Sequence, residues 1–179
     1  MSKIEVDTIE PQSGTTVTLG ASGDTITIPS GATLSNSGTL GSGMGKVLQV
    51  VSATDSTQRS TTSTSFVTAS NTLSVSITPS SASNKIFIIC NTTFGNTTQG
   101  QAAKATIFRD STNLGATNGI MNSFSDTGST REQGSMIILD SPNTTSSVTY
   151  QAYFSVSANQ CDINWNNTKG SIIAFEIAG

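Results

Sequence analysis

The side chains that most often carry catalysis are scarce in this chain. It has no histidine, so the commonest general base near neutral pH is missing, and Ser-His-Asp and Cys-His nucleophile activation are excluded. Eleven acids remain: Glu5, Asp7, Glu10, Asp24, Asp55, Asp110, Asp126, Glu132, Asp140, Asp162 and Glu176. Two carboxylates astride a sugar linkage could act as the acid and base of a glycosidase. No pair stands out, however, and most of these acids fall at expected strand ends and turns, where Asp serves its own backbone. Cys90 and Cys161 lie inside apolar alternating segments. They read as buried thiols acting as small hydrophobes, with a disulfide between neighbouring strands as the alternative. Without histidine, and without cysteines at ligand spacing, neither a metal site nor a cofactor is expected. The run Gly41-Ser42-Gly43-Met44-Gly45-Lys46 has the flavour of a phosphate loop. Leu40 stands where its first glycine belongs, and Val47 where a magnesium-binding hydroxyl belongs, so a hinge is the better reading.

Contact chemistry is better represented than catalysis. Trp165, within Asn164-Trp165-Asn166-Asn167, could stack on a sugar ring while the amides bond its hydroxyls. It also shares its phase with Cys161 and Ile163, and that match favours the core. Tyr150 falls in phase with Phe154 and belongs inside, whereas Tyr153 points outward and is available for contact. Two polar stretches, 91–101 and 118–134, are rich in Asn, Ser, Thr and Gly and hold Phe94, Phe124 and Arg131. Read as loops on a rigid scaffold, they suit adaptable recognition. The candidate recognition residues are therefore Phe94, Phe124, Arg131, Tyr153 and Trp165, with no catalytic, cofactor or metal residue.

The scaffold these residues need is all-β. Only 11% of the 179 residues are charged, while 29 are serine and 29 threonine. Threonine and alternating apolar residues favour extended chain, and serine, asparagine and glycine favour turns. No apolar stripe with helical period appears. From residue 46 to 179, about nine strand-like runs succeed one another: Lys46–Ala53, Ser65–Ala69, Leu73–Ile77, Lys85–Thr92, Ala103–Asp110, Met136–Leu139, Val148–Val156, Cys161–Trp165 and Ser171–Ile177. In the last run Ile173, Phe175 and Ile177 are in phase. This spacing predicts an antiparallel β-sandwich or jelly-roll head.

Residues 1–45 differ. Val17 with Leu19, Ile26 with Ile28, and then Leu34 recur between glycines, as in thin intertwined or solenoid-like β-stems. So few large apolar groups cannot offset the ordering entropy of the segment. Order must then come from sister copies, most simply a homotrimer with Val17, Leu19, Ile26, Ile28 and Leu34 at its axis. The opening residues alternate Ile4, Val6 and Ile9 with charges and could add to a partner's sheet edge.

The net charge of −3 and the lack of a basic patch argue against nucleic acid. No run of 18 apolar residues is present, so no membrane insertion is expected, and the N-terminus lacks a secretory h-region. Synthesis in a cytoplasm, with arrival elsewhere by assembly, is the expectation.

The opening SKIEVDTIEPQSGTTVTLGASGDTITIPSGATL resembles the N-termini of fibre and spike proteins of marine tailed bacteriophages, cyanophages among them. The body GKVLQVV…TSFVTAS…LSVSITPSSASNKIFI…ILDSPNTTSSVTYQAYF…IIAFEIAG is similar to a head module of the same proteins. Together they span nearly the whole chain. The resemblance implies a non-enzymatic virion protein, a trimeric fibre or spike with a jelly-roll-like head for host attachment. Its partners would be its own copies, other virion proteins of tail or capsid, and a host-surface glycan. A capsid or tail decoration (cement) protein and a polysaccharide-degrading spike are the alternatives.

Overall fold

Alternation of apolar and hydroxylic residues, punctuated by Asn, Ser and Gly, yields eleven strands in this computed structural model, which describes residues 9–33 and 47–179. In chain order they are β1 (Val47–Asp55), β2 (Arg59–Thr61), β3 (Ser74–Ile77), β4 (Lys85–Asn96), β5 (Gln101–Arg109), β6 (Thr112–Asn113), β7 (Met121–Ser125), β8 (Glu132–Asp140), β9 (Val148–Val156), β10 (Cys161–Ile163) and β11 (Gly170–Ile177). One sheet runs β1-β11-β4-β10-β2, with β8 on the other edge of β4. The second runs β3-β9-β5-β6, with β7 also on β5. Every named pairing is antiparallel.

The inner faces of the two sheets make one core. From β9 come Val148, Tyr150, Ala152, Phe154 and Val156, all on the phase read from the sequence. From β4 come Ile86, Ile88, Cys90 and Phe94, and from β5 Ala103, Ala105 and Ile107. Full burial of one such Ile or Phe stabilises the fold by roughly 1.5–3 kcal/mol. Ala105 on β5 lies opposite the bulk of Phe154 on the paired β9, and Ile107 lies opposite Ala152, so the inner layer fills without crowding.

Several expectations need correction. The sequence suggested nine strands; β2, β6 and β7 are additional, and Ser65–Ala69 contributes only an isolated bridge, Val67 to Phe154. The stretch 91–101 is not a loop for most of its length. Because β8 pairs along one side of β4 and β10 takes the other beyond β11, hydrogen bonding carries β4 through Asn96 despite its turn-forming Asn and Gly. Phe94 consequently points inward and is buried, not available for recognition. Within 118–134 lie β7 and the start of β8.

The phase of β11 also differs in consequence. Ile172, Ala174 and Glu176 face the core, and Ile173, Phe175 and Ile177 face out. The run Met136–Leu139, whose unbroken apolar sequence reads as a short buried strand, is not buried throughout: Met136 is buried, but Ile137 and Leu139 are exposed. Two cross-strand rows result on the outer face. One is Val50-Phe175-Phe87-Leu139, the other Ile173-Ile89-Ile137.

The chain divides into two compact units, Met1–Met44 and Gly45–Gly179. Among residues 9–33 of the first unit no strand is paired; turns close at Ala21–Asp24 and Pro29–Ala32. Asp24 caps its turn, its Oδ2 accepting the Ala21 amide at 2.7 Å. Ile9, Val17, Leu19, Ile26 and Ile28 are all exposed in the single chain. Residues 16–19 and 25–28, where the apolar pairs fall, form no paired strand in the single chain, an isolated segment offering no neighbour to hydrogen-bond. Ile4, Val6 and Leu34 lie outside the described residues.

Candidate recognition site

The strand β10 ends in a turn that removes Trp165 from the sheet. Asn164, Asn166 and Asn167 adopt φ of 52°, 55° and 57°, the left-handed region that asparagine tolerates better than most residues, at about 1 kcal/mol each. Each distortion is held in place. Asn164 is fully buried, with its Oδ1 accepting from Thr92 Oγ1 at 2.9 Å and its amide donating to the Thr93 carbonyl at 2.8 Å. Gln58 grips the far side: its amide donates to Asn167 Oδ1 at 3.1 Å, and its Oε1 accepts the Asn166 amide at 2.9 Å.

The result is that Trp165 stands 39% exposed. The phase match with Cys161 and Ile163 that favoured core burial is broken at Asn164, where the backbone turns left-handed and the strand ends.

Arg131, 34 residues earlier in the chain, lies over this ring. Its guanidinium carbon is 3.8 Å from the Trp165 centroid, a cation–π contact. The same guanidinium donates through Nη2 to Asp162 Oδ2 at 2.9 Å. Asp162 is buried, and its Oδ1 accepts from Ser60 Oγ at 3.0 Å and Gln160 Nε2 at 2.7 Å. Arg131 Nε is buried without a hydrogen-bond partner. Gly95 permits this approach. A Cβ there would stand 1.9 Å from the Thr130 carbonyl oxygen, so only glycine lets the segment between β7 and β8 lie so close just before Arg131. The fold thus joins Arg131 and Trp165, two of the five sequence candidates, on one side of the head.

The others are elsewhere. Phe124, on β7, is exposed by itself. Tyr153 is half-buried and stacks on Phe108 with ring centroids 4.1 Å apart, and Phe66 meets Phe108 edge-on at 6.4 Å. An aromatic strip on the outer face of the second sheet, rather than a lone outward tyrosine, is what sequence reading missed. The signal was the off-phase Phe108.

The buried acids are engaged structurally. Burial works against the Asp55 charge, but the amides of Thr57 and Thr72 and the Arg59 guanidinium more than offset it, so its carboxyl is held below the ordinary range. Asp140 accepts a two-pronged bond from Arg109 Nη1, at 2.7 and 2.9 Å, and one from the Tyr150 hydroxyl at 2.7 Å. Burial, reinforced by Asp140, pushes the Tyr150 hydroxyl far above its usual range. Among the described residues no three His, Cys, Asp or Glu side chains gather as metal ligands. No helix there is long and apolar enough to cross a membrane.

Cys90 and Cys161 are both free and buried. Cys161 pairs with Asn96, six residues along β4 from Cys90, so roughly 20 Å of strand separates them, against the ~7 Å limit for a disulfide. Burial pushes both thiols up to about 12.

No protein-family model matches the chain, and no curated protein does. Among solved structures the chain is similar to the VP2 subviral particle of infectious bursal disease virus, at 17% identity and a TM-score of 0.41, over 73% of this chain and 32% of that one. A mutant VP2 protein of the same virus, in derived particles, is similar at 13% identity and a TM-score of 0.37, over 74% and 37%. The particle of that virus is similar at 11% identity and a TM-score of 0.38, over 74% and 36%. The chain spans about a third of the length of these solved chains.

Proposed function

We propose that this chain is a structural subunit of a virus particle, a short fibre or spike. Its N-terminal segment joins copies as a trimer and docks to other virion proteins, and its head presents the Trp165 turn to a host-surface glycan. The sequence resemblance supports the virion role. The observation that carries the contact is the exposure of Trp165, the chain's only tryptophan, on a rigid turn above Arg131. A flat aromatic face rimmed by Asn166 and Asn167 amides matches a sugar ring, apolar on one side and hydroxylated at its edge. Three heads on one stem raise avidity even where each contact is weak.

Catalysis has little support. Asp55 and Glu176 are ionised and bonded, and Asp140 and Asp162 are tied to arginines. A decoration protein is the second reading, favoured by the exposed aliphatic rows of the first sheet.

The test uses Trp165 emission in the full chain titrated with host-surface polysaccharide. Binding should shift the emission, and Trp165→Ala should weaken attachment to host cells about tenfold or more, with circular dichroism and the unfolding midpoint as the folding control. Unaltered attachment by that variant would remove the site from the reading. Release of reducing sugar would establish the degrading spike, and a label on the head found enclosed between capsid subunits would establish the decoration protein.

A further inference from the structure

The outer face of the β1-β11-β4-β8 sheet is apolar where a solvated sandwich face is ordinarily polar. Val50 and Leu139 close the two ends of one row, with the Phe87 and Phe175 rings 6.2 Å apart between them. Ile137 ends the second row. Val50, Ile137 and Leu139 are each more than half exposed.

We infer that this face packs against the same faces of sister copies of the chain around the shared axis, so that the heads, and not only the N-terminal segments, hold the assembly together. The inference deepens the fibre reading, and its argument from position rests on copies being joined ahead of β1.

Three observations select a second copy as the occupant. The first is area. Half-exposed aliphatics with partly exposed rings between them leave roughly 500 Å² of apolar surface. That is the upper range for a monomer's largest patch, and with a polar rim it approaches the ~800 Å² per partner of a standard interface.

The second is charge. Among outward positions on these four strands only Lys85, at the start of β4, is charged. With its single charge at the margin, such a face can lie against the same faces of sister copies around a shared axis with little repulsion, whereas a charged partner surface would leave its own charges buried without counter-charges.

The third is position. β1 is the edge strand of its sheet and the first element after the N-terminal unit. It carries neither lysine nor proline, the usual guards of an open edge. Copies linked through the preceding residues bring their β1 strands together first, at an effective concentration in the millimolar range for a short linker.

The experiment measures self-association of the full chain by sedimentation equilibrium, in three forms: the natural sequence, a face variant (Val50→Lys with Leu139→Lys) and a stem variant (Ile26→Ser with Ile28→Ser). All substituted side chains are exposed, so circular dichroism and the unfolding midpoint serve as the folding control. If the face variant weakens association about tenfold or more, and a photo-crosslinker at Ile137 joins β8 to β1, β4, β8 or β11 of another copy, the inference stands. Association unchanged in the face variant, in a chain that does associate, overturns it. It is overturned equally if the face variant associates normally but fails to enter particles, because another virion protein then covers the face. A stem variant that associates like the natural chain, beside a weakened face variant, removes the stem trimer alone. A natural chain that stays monomeric removes both.

Discussion

Glu176 illustrates what one inward carboxylate can organise. It occupies a core-facing position of β11 and is 1% exposed. Its oxygens accept four donors: the Ser80 amide at 2.6 Å, Ser80 Oγ at 2.8 Å, Asn84 Nδ2 at 2.6 Å and Gln49 Nε2 at 2.6 Å. These tie β1, β11 and the turn between β3 and β4 into one corner. Burial favours the neutral acid, yet the four bonds outweigh it and hold the carboxyl below its ordinary 4.5. A lowered folded value means stability that is complete above 4.5 and lost as pH falls through the folded value. Asp55 behaves alike from 3.8. The urea midpoint should therefore be level from neutrality to about pH 5 and fall below it. Glu176→Gln should lose about 2 kcal/mol at neutral pH and flatten that fall, since it removes the charge its donors are arranged around. A natural-sequence midpoint that stays level to pH 3 would mean these bonds are absent in solution.

At the scale of elements, β4 is the organiser. It has partners along both edges, β11 then β10 on one and β8 on the other. Gly95 sits where the Thr130 carbonyl passes closest. Gly95→Ala must push that segment outward, and with it Arg131, away from Trp165. The expected cost is about 1–3 kcal/mol, together with a shift of the single tryptophan's emission as its cation cover leaves. Thermal unfolding and fluorescence of the purified variant read both. An unshifted spectrum in a destabilised variant would show that Gly95 serves packing but not the position of Arg131.

For the whole molecule the contrast lies between its two units. The C-terminal unit buries a continuous core between two sheets, and both thiols lie in it at 0% exposure. With burial pushing each to about 12, almost no thiolate is available, and a reagent reaches them only when the sheets part. Both cysteines should label together, at a rate that follows global unfolding across a denaturant series. Rapid labelling of either one in native buffer would reveal local opening of β4 or β10. The described part of the N-terminal unit shows the opposite pattern, its aliphatics exposed and its hydrogen bonds confined to turns.

Composition and period-two alternation were enough to establish an all-β chain with a sandwich head and the inner face of β9, because that strand is apolar on one phase and mixed on the other. They could not choose for β11, where Ile172 with Ala174 and Ile173 with Phe175 offer two apolar faces. Alternation states which residues share a face but not which face meets the opposite sheet. That choice was made by packing across the core, and it produced both the buried Glu176 and the outer aliphatic rows. Nor could alternation foresee the left-handed asparagines that lift Trp165 out of phase, or the meeting of Arg131 with that ring across 34 residues. Both depend on strand partners and on a close backbone approach at Gly95, which exist only once distant segments have been brought side by side.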